Sequence, residues 1–343
     1  MAQHVIAIVA LVAVLAIAPL GGESPYFLIT PGGTYDIGSR LRLPDEHRKP
    51  MGRMAFTAVY EQEASWAEVA HARIAGQAEI VPAVSIRPPG TTQEQLNQTN
   101  KRLIDESKPV AAVVGLRAAG FDVQITGQGA QVESIIDGMP AEGVLQVGDV
   151  IVAVDGQPID TTNALIQAIT HHAVGDQVNL TVQRDGVEQM LTVATRNSPT
   201  DPGRPVVGVT VSTYLFDVRM PFQVDIESDN VGGPSAGFMF ALGILDAVTD
   251  GDLTRGYYIA GTGTIGPDGT VGAVGGAAEK ALAAEQDGAQ VFLVPRDDAS
   301  EAGKWVRGLQ IIPVDRFEDA VQALCGLTPL PTVASPDPPT PCV

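Results

Sequence analysis

The sequence is poor in positive charge, aromatic side chains, histidine and cysteine. Lys and Arg number 21 against 40 Asp and Glu, a formal net charge of −19. That balance argues against nucleic acid or an anionic membrane surface as the main partner. It suits a soluble extracytoplasmic domain and a mild attraction for basic peptides. The two cysteines and five histidines fall in no metal-site spacing. No Gly-x-x-x-x-Gly-Lys-Ser/Thr phrase occurs, so these 343 residues carry no nucleotide-hydrolysing loop of that kind. Neither a metal nor an organic cofactor is expected. Aromatics make up 5% and hydrophobic residues 45%, the composition of an ordinary globular protein with few aromatics, long enough for two domains.

Long apolar runs are also scarce, with one exception near the start. Residues 5–20 are uninterruptedly apolar, and Gly21 and Gly22 extend the run towards the ~20 residues a spanning helix needs. The rival is a cleaved signal peptide, for which Ala16-Ile17-Ala18 has the A-x-A form. Pro19 directly after it disfavours cleavage and no Lys or Arg precedes the run, so a retained transmembrane anchor over 1–22 is expected. Cys325 and Cys342 both lie near the C-terminus. They form a disulfide if the compartment is oxidising and stay free thiols otherwise.

The chemistry concentrates between Val231 and Lys280. Gly232-Gly233-Pro234-Ser235 opens a very apolar run. Pro234 suits a first helical turn and the glycines allow a tight entry. Ser235 then sits among the free N–H groups of a helix start, where an oxyanion is stabilised. Lys280 lies in an Ala-rich helix, with Gly276, Ala277, Ala283 and Ala284 at three and four residues. Packed on small residues in a dry cleft, its amine is expected to have a lowered pKa and to take a proton from a serine hydroxyl. Taken singly, a serine after Gly-Gly-Pro is most often a helix-start residue, and a lysine on an alanine face is most often solvated.

Together the two phrases resemble something specific. Gly233-Pro234-Ser235-Ala236-Gly237, then Gly275-Gly276 and Glu279-Lys280-Ala281-Leu282-Ala283-Ala284, with serine and lysine 45 residues apart, resemble the signature of the Lon-type serine proteases. The resemblance implies Ser235 as nucleophile, Lys280 as general base, and Gly233 and Thr262 as oxyanion or supporting residues. It departs from the ATP-driven members at two places: Gly232 stands where they carry Asp, and Ala260 where they carry Thr.

Residues 121–195 have a different texture. Ile135-Ile136-Asp137-Gly138-Met139-Pro140-Ala141 and Gly148-Asp149-Val150-Ile151-Val152-Ala153-Val154-Asp155-Gly156 resemble bacterial PDZ domains. The resemblance implies a groove helix over 163–171 and a closing hairpin about Asp185-Gly186. Ala119-Gly120-Phe121 is the nearest match to the carboxylate-cradling loop, which makes Gly120 and Phe121 the peptide-binding candidates.

The whole chain resembles the membrane-anchored PDZ–Lon-type protease family of bacteria. The expected fold class is α+β: a Lon-type proteolytic domain with an inserted PDZ-like domain, preceded by a transmembrane helix. The expected divisions are an anchor at 1–22, an N-terminal protease part at 23–117, the PDZ-like domain at 118–198, the catalytic part at 199–328 and a disordered Pro-rich tail at 329–343. The resemblance implies an ATP-independent endopeptidase on the extracytoplasmic side of the cell membrane. Its partners would be protein or peptide substrates, the membrane through the N-terminal helix, and further copies of the chain in a ring, with no nucleic acid. The alternative is a non-catalytic PDZ-type binding or scaffold protein on a protease fold.

Overall fold

The computed structural model describes residues 22–49, 51–87, 90–198, 203–214, 217–330 and 342. The expected anchor at 1–22, apart from Gly22, and almost all of the Pro-rich tail lie outside them. Among the described residues no helix is long and apolar enough to cross a membrane. The chain forms two compact units, one of residues 1–122 with 222–343 and one of residues 123–221.

The first unit begins with β1 (Glu23–Asp36) paired antiparallel to β2 (Met54–Ser65). By composition the stretch from Pro25 to Gly52 is turn-rich, and Pro31-Gly32-Gly33 predicts a bend. The structure instead absorbs those residues as a register irregularity inside one long strand. Gly32 is required there, because a Cβ would run into the Ala58 carbonyl. Helix α1 (Trp66–Ala75) starts at a capping box that Ser65 followed by Glu68 predicts: the Ser65 side chain accepts from Glu68 N–H and the Glu68 carboxylate accepts from Ser65 N–H. β3 (Glu79–Pro82) then pairs with β1. Helix α2 (Gln93–Ala118) opens on a second capping box, Thr92 with Gln95, and runs unbroken past Pro109.

The second unit holds β4 (Gln124–Thr126), β5 (Ala130–Ile135), β6 (Val150–Val154), α3 (Thr162–Thr170), β7 (Gln177–Arg184) and β8 (Val187–Ala194). β7 and β8 form the expected hairpin, with Asp185 and Gly186 both at positive φ (52° and 78°) as its two-residue turn demands. The sheet order is β8-β7-β6-β5-β9, where β9 is Val209–Thr213, and Gln157–Pro158 pairs with β6. Leu165 and Ile169 of α3 pack with Val132, Ile151, Leu180 and Val182 from the sheet. β10 (Asp217–Arg219) pairs with β4.

The compact unit that holds these strands runs to 221, beyond the expected end of the PDZ-like domain at 198, because β9 hydrogen-bonds to β5 and extends its sheet. An apolar strand after a Pro-rich linker does not reveal from sequence which sheet it will join.

The first unit resumes with the turn Pro234–Ala236 and helix α4 (Gly237–Val248), every residue of which is buried. Such a helix must be surrounded, and its apolar run all round dictates that. Helix α2 approaches it at Gly115, where a Cβ would meet the Ala241 carbonyl at 2.6 Å. β11 (Ile259–Gly261), α5 (Ala277–Gln286), β12 (Val291–Pro295), β13 (Gln310–Val314) and α6 (Phe317–Cys325) complete the unit. Its mixed sheet has the order β13-β12-β11-β2-β1-β3. β12 is buried throughout, as a parallel interior strand requires. Cys325 and Cys342 are bridged.

Candidate active site

Two helix starts build the site. Gly233, at φ 86°, turns the chain into Pro234–Ala236, so Ser235 is the second residue of a tight turn leading into α4. Two bonds hold its backbone: the Ser235 carbonyl accepts from Gly263 N–H at 2.8 Å and from the Thr262 hydroxyl at 3.2 Å. From the other side, Gly276 at φ 67° starts α5 and sets Lys280 in its second turn. The alanines of α5 anchor the helix in the core: Ala277, Ala281 and Ala284 belong to one buried cluster with Phe292 and Val294.

Lys280 is 4% exposed, and its Nζ lies 3.2 Å from Ser235 Oγ. Burial drives its amine down to about 8, against the opposing pull of Asp298, Glu61, Glu279 and Glu301. With the proton on nitrogen, Nζ donates to Oγ. With the amine neutral, the same contact lets the hydroxyl donate, which is the first step of nucleophilic attack. The pair faces a cleft of about 800 Å³ whose lining includes Tyr35, Tyr60, Glu61, Lys101 and Asp229. Burial also raises the Glu61 carboxyl, with Lys280 pulling the other way.

Two segments of the chain match known domain families. Residues 227–326, which span both Ser235 and Lys280, match the Lon protease (S16) C-terminal proteolytic domain, and residues 117–195 match the PDZ domain family. The chain joins a Lon-type proteolytic domain to a PDZ domain. Lon protease 2 of Bacillus subtilis (strain 168) is 30% identical over 118 residues, 34% of this chain and 20% of that protein. A probable periplasmic serine endoprotease DegP-like of Pseudomonas fulva (strain 12-X) is 40% identical over 76 residues, 22% of this chain and 16% of that protein. The PDZ domain of the SdrC-like protein from Listeria monocytogenes is 27% identical, with a TM-score of 0.24, over 26% of this chain and 92% of that one. The chain thus spans a fifth or less of the length of these two curated relatives. The Lon-type domain is that of a serine-type peptidase.

Within the Lon-type domain Gly233 and Thr262 both lie against Ser235, each with its own bond. The Gly233 N–H donates to the Asn100 carbonyl at 2.7 Å. α2 passes so close that a Cβ on Gly232 would lie 2.7 Å from that of Asn100. This donor is therefore engaged by the protein itself and does not face an oxyanion. The Thr262 hydroxyl braces the serine's own carbonyl and makes no bond to Lys280. Ala260, where the ATP-driven members carry Thr, is buried in β11.

Gly120 and Phe121, the peptide-binding candidates, fall inside the PDZ match, and both have a local structural role as well. They lie in the first unit, as the stop of α2. Gly120 has φ 84° and its N–H donates to the Arg117 carbonyl, while Phe121 N–H donates to Leu116 O. That is a Schellman ending, which uses the same Gly-then-apolar phrase for a local reason. The Phe121 ring packs edge-on against Phe222, centroids 5.2 Å apart, and His47 stacks on Phe222.

The sequence reading did not single out Glu61, Asp298 and Asn100. Glu61 stands in a strand whose alternation offered no motif. Asp298, which accepts from Val274 N–H at 2.8 Å, comes from 18 residues beyond Lys280. Two acidic residues just before Ser235 in the chain, Glu227 and Asp229, are both paired with arginines. Glu227 pairs with Arg42 at 3.4 Å and Asp229 with Arg40 at 2.9 Å.

Proposed function

We propose that the chain is a serine endopeptidase in which Ser235 attacks the peptide carbonyl while Lys280 takes its proton, and that it works without ATP. The single observation that carries this reading is the 3.2 Å contact between Ser235 Oγ and an amine that burial lowers to about 8. An amine with that pKa has a usable neutral fraction near neutral pH and remains a competent base. With the Gly233 N–H engaged, the Ser235 N–H is the donor left at the start of the turn for the developing oxyanion.

The PDZ domain recruits or admits unfolded or membrane-associated substrates in this reading. We place the activity outside the cytoplasm, because a Cys325–Cys342 bridge suits an oxidising compartment. The apolar run at 5–20 serves as the anchor, and ring-like self-association follows the Lon resemblance.

Digestion of casein by the chain in the absence of nucleotide, against its Ser235→Ala form, tests the reading. Cleavage by the first and none by the second is expected. Equal cleavage by both, or none by either, would return the chain to the non-catalytic PDZ scaffold reading. Fractionation tests the location: recovery of a soluble protein beginning at Pro19 would remove the anchor.

A further inference from the structure

Three carboxylates meet at a place that the serine–lysine chemistry does not use. Glu79 opens β3, Glu279 lies in the first turn of α5, and Glu301 belongs to the short helix Ala299–Ala302. One oxygen of each lies within 4.8 Å of the others. Glu79 and Glu301 are exposed, whereas Glu279 is 0% exposed. Both oxygens of the Glu279 carboxylate are buried without a hydrogen-bond partner.

Among the described residues, none of the three enters an ion pair. The nearby cations are otherwise placed. Lys304 acts on Glu79 only through space, and its Nζ sits over the Trp305 ring. Lys280 bonds Ser235. A carboxylate removed from water without a donor is strongly unfavourable, and two more carboxylates beside it make matters worse. The N–H groups of Glu279 and Glu79 favour the charged form of Glu279 without closing a hydrogen bond of good geometry, and burial with the two neighbouring carboxylates outweighs them, driving the carboxyl up to about 7. What is missing is a positive charge that several oxygens can share.

The donor set identifies its class. All three ligands are hard oxygens, with no nitrogen or sulfur among them, which selects calcium or magnesium over zinc or copper. Calcium–oxygen distances of about 2.3–2.6 Å put opposite ligands about 4.6–5.2 Å apart, a span that accommodates these oxygens. Magnesium, at about 2.0–2.1 Å, requires a narrower octahedron and gives up its water reluctantly. The two exposed ligands leave room for water to complete a calcium shell. We propose that Glu79, Glu279 and Glu301 form a calcium-binding site that ties β3, α5 and the Ala299–Ala302 helix together. The site stands whether or not Ser235 is the nucleophile.

Thermal unfolding and titration calorimetry of the full chain test it, with CaCl2, MgCl2 and NaCl compared at equal ionic strength after dialysis against a chelator. Calcium at about ten times its Kd is expected to raise Tm by about 3 °C. Glu301→Gln, an exposed change that leaves the core alone, is expected to lose most of that shift and most of the binding heat. Glu279→Gln is expected to lose the calcium response as well. In chelator it should melt above the unsubstituted protein, since it removes a buried unpaired charge. A calcium shift of full size in both variants, an equal shift from MgCl2 or NaCl, or no binding heat at millimolar calcium would each overturn the site.

Discussion

The two units bury charge in opposite ways. In the second unit, Asp149 is 1% exposed and receives two bonds of 2.7 Å from Arg184, with a third of 2.8 Å from Gln146 N–H. Burial alone would raise its pKa, but those donors outweigh it and hold the carboxyl below its usual range. In the first unit, Lys280 is almost as buried, yet its acidic neighbours do not offset burial, and the amine moves towards its neutral form. Equal burial therefore yields either a fixed ion pair, which serves architecture, or a group poised to change charge, which serves chemistry.

The sharpest way to break the comparison is to remove the poised group. Lys280→Ala, Lys280→Arg and Ser235→Ala are each expected to lower peptide cleavage by about 10³-fold or more, and the double Ala variant should be no worse than either single change. Lys280→Arg matters most, because a guanidinium keeps its proton at any working pH. Substantial peptidase activity in a folded Lys280→Arg protein would mean that another base serves Ser235. Glu227 and Asp229 would then have to leave their arginines to do so.

Breaking the fixed pair should act on stability instead. Arg184→Met leaves Asp149 buried without its partner and is expected to cost about 3–5 kcal/mol. The double change Asp149→Asn with Arg184→Met should recover part of it. Denaturant titration reads both, and a cost below about 1 kcal/mol for the single change would show the pair to be no stronger than a surface bridge.

The third effect is milder and sharpens the contrast. A lowered lysine pKa means that the neutral base is plentiful above about 8 and is lost as pH falls through it. Turnover of an uncharged peptide, measured in chelator, should therefore fall about tenfold per pH unit well below that value and level off above it. A rate flat from pH 6 to 9 with chemistry limiting would remove Lys280 from the role. The smallest effect concerns Gly120. Gly120→Ala is expected to cost about 1 kcal/mol through its positive φ, with peptide binding by the PDZ domain unchanged. A change in binding with no change in stability would restore Gly120 to the groove.

Much was legible because the signals were local. The Ser65–Glu68 capping box, the Asp185-Gly186 turn, the buried α4 and the Gly-Pro-Ser phrase each involve residues within a few positions of one another, where propensity and backbone geometry act directly. The two PDZ phrases were legible for the same reason: Gly148-Asp149 is a turn that feeds a strand. The Gly120-Phe121 phrase is ambiguous in sequence because a Schellman stop and a carboxylate-binding loop use the same residue types.

What the sequence by itself determined was the kind of most elements, β1 excepted, and the presence of a serine and a lysine suited to one another. Where those elements meet was decided by tertiary structure. Apolar strands carry no label for their partner, so only the completed sheet assigns β9 to the second unit. Backbone donors carry no side-chain signal, so only the close passage of α2 reveals that the Gly233 N–H is already engaged. The glutamate trio comes from positions 79, 279 and 301, and no spacing in the chain anticipates it. The 3.2 Å contact of Ser235 with Lys280 exists because packing α4 and α5 into one unit brings two helix starts together, and the dry environment that lowers the lysine is a property of that packing alone.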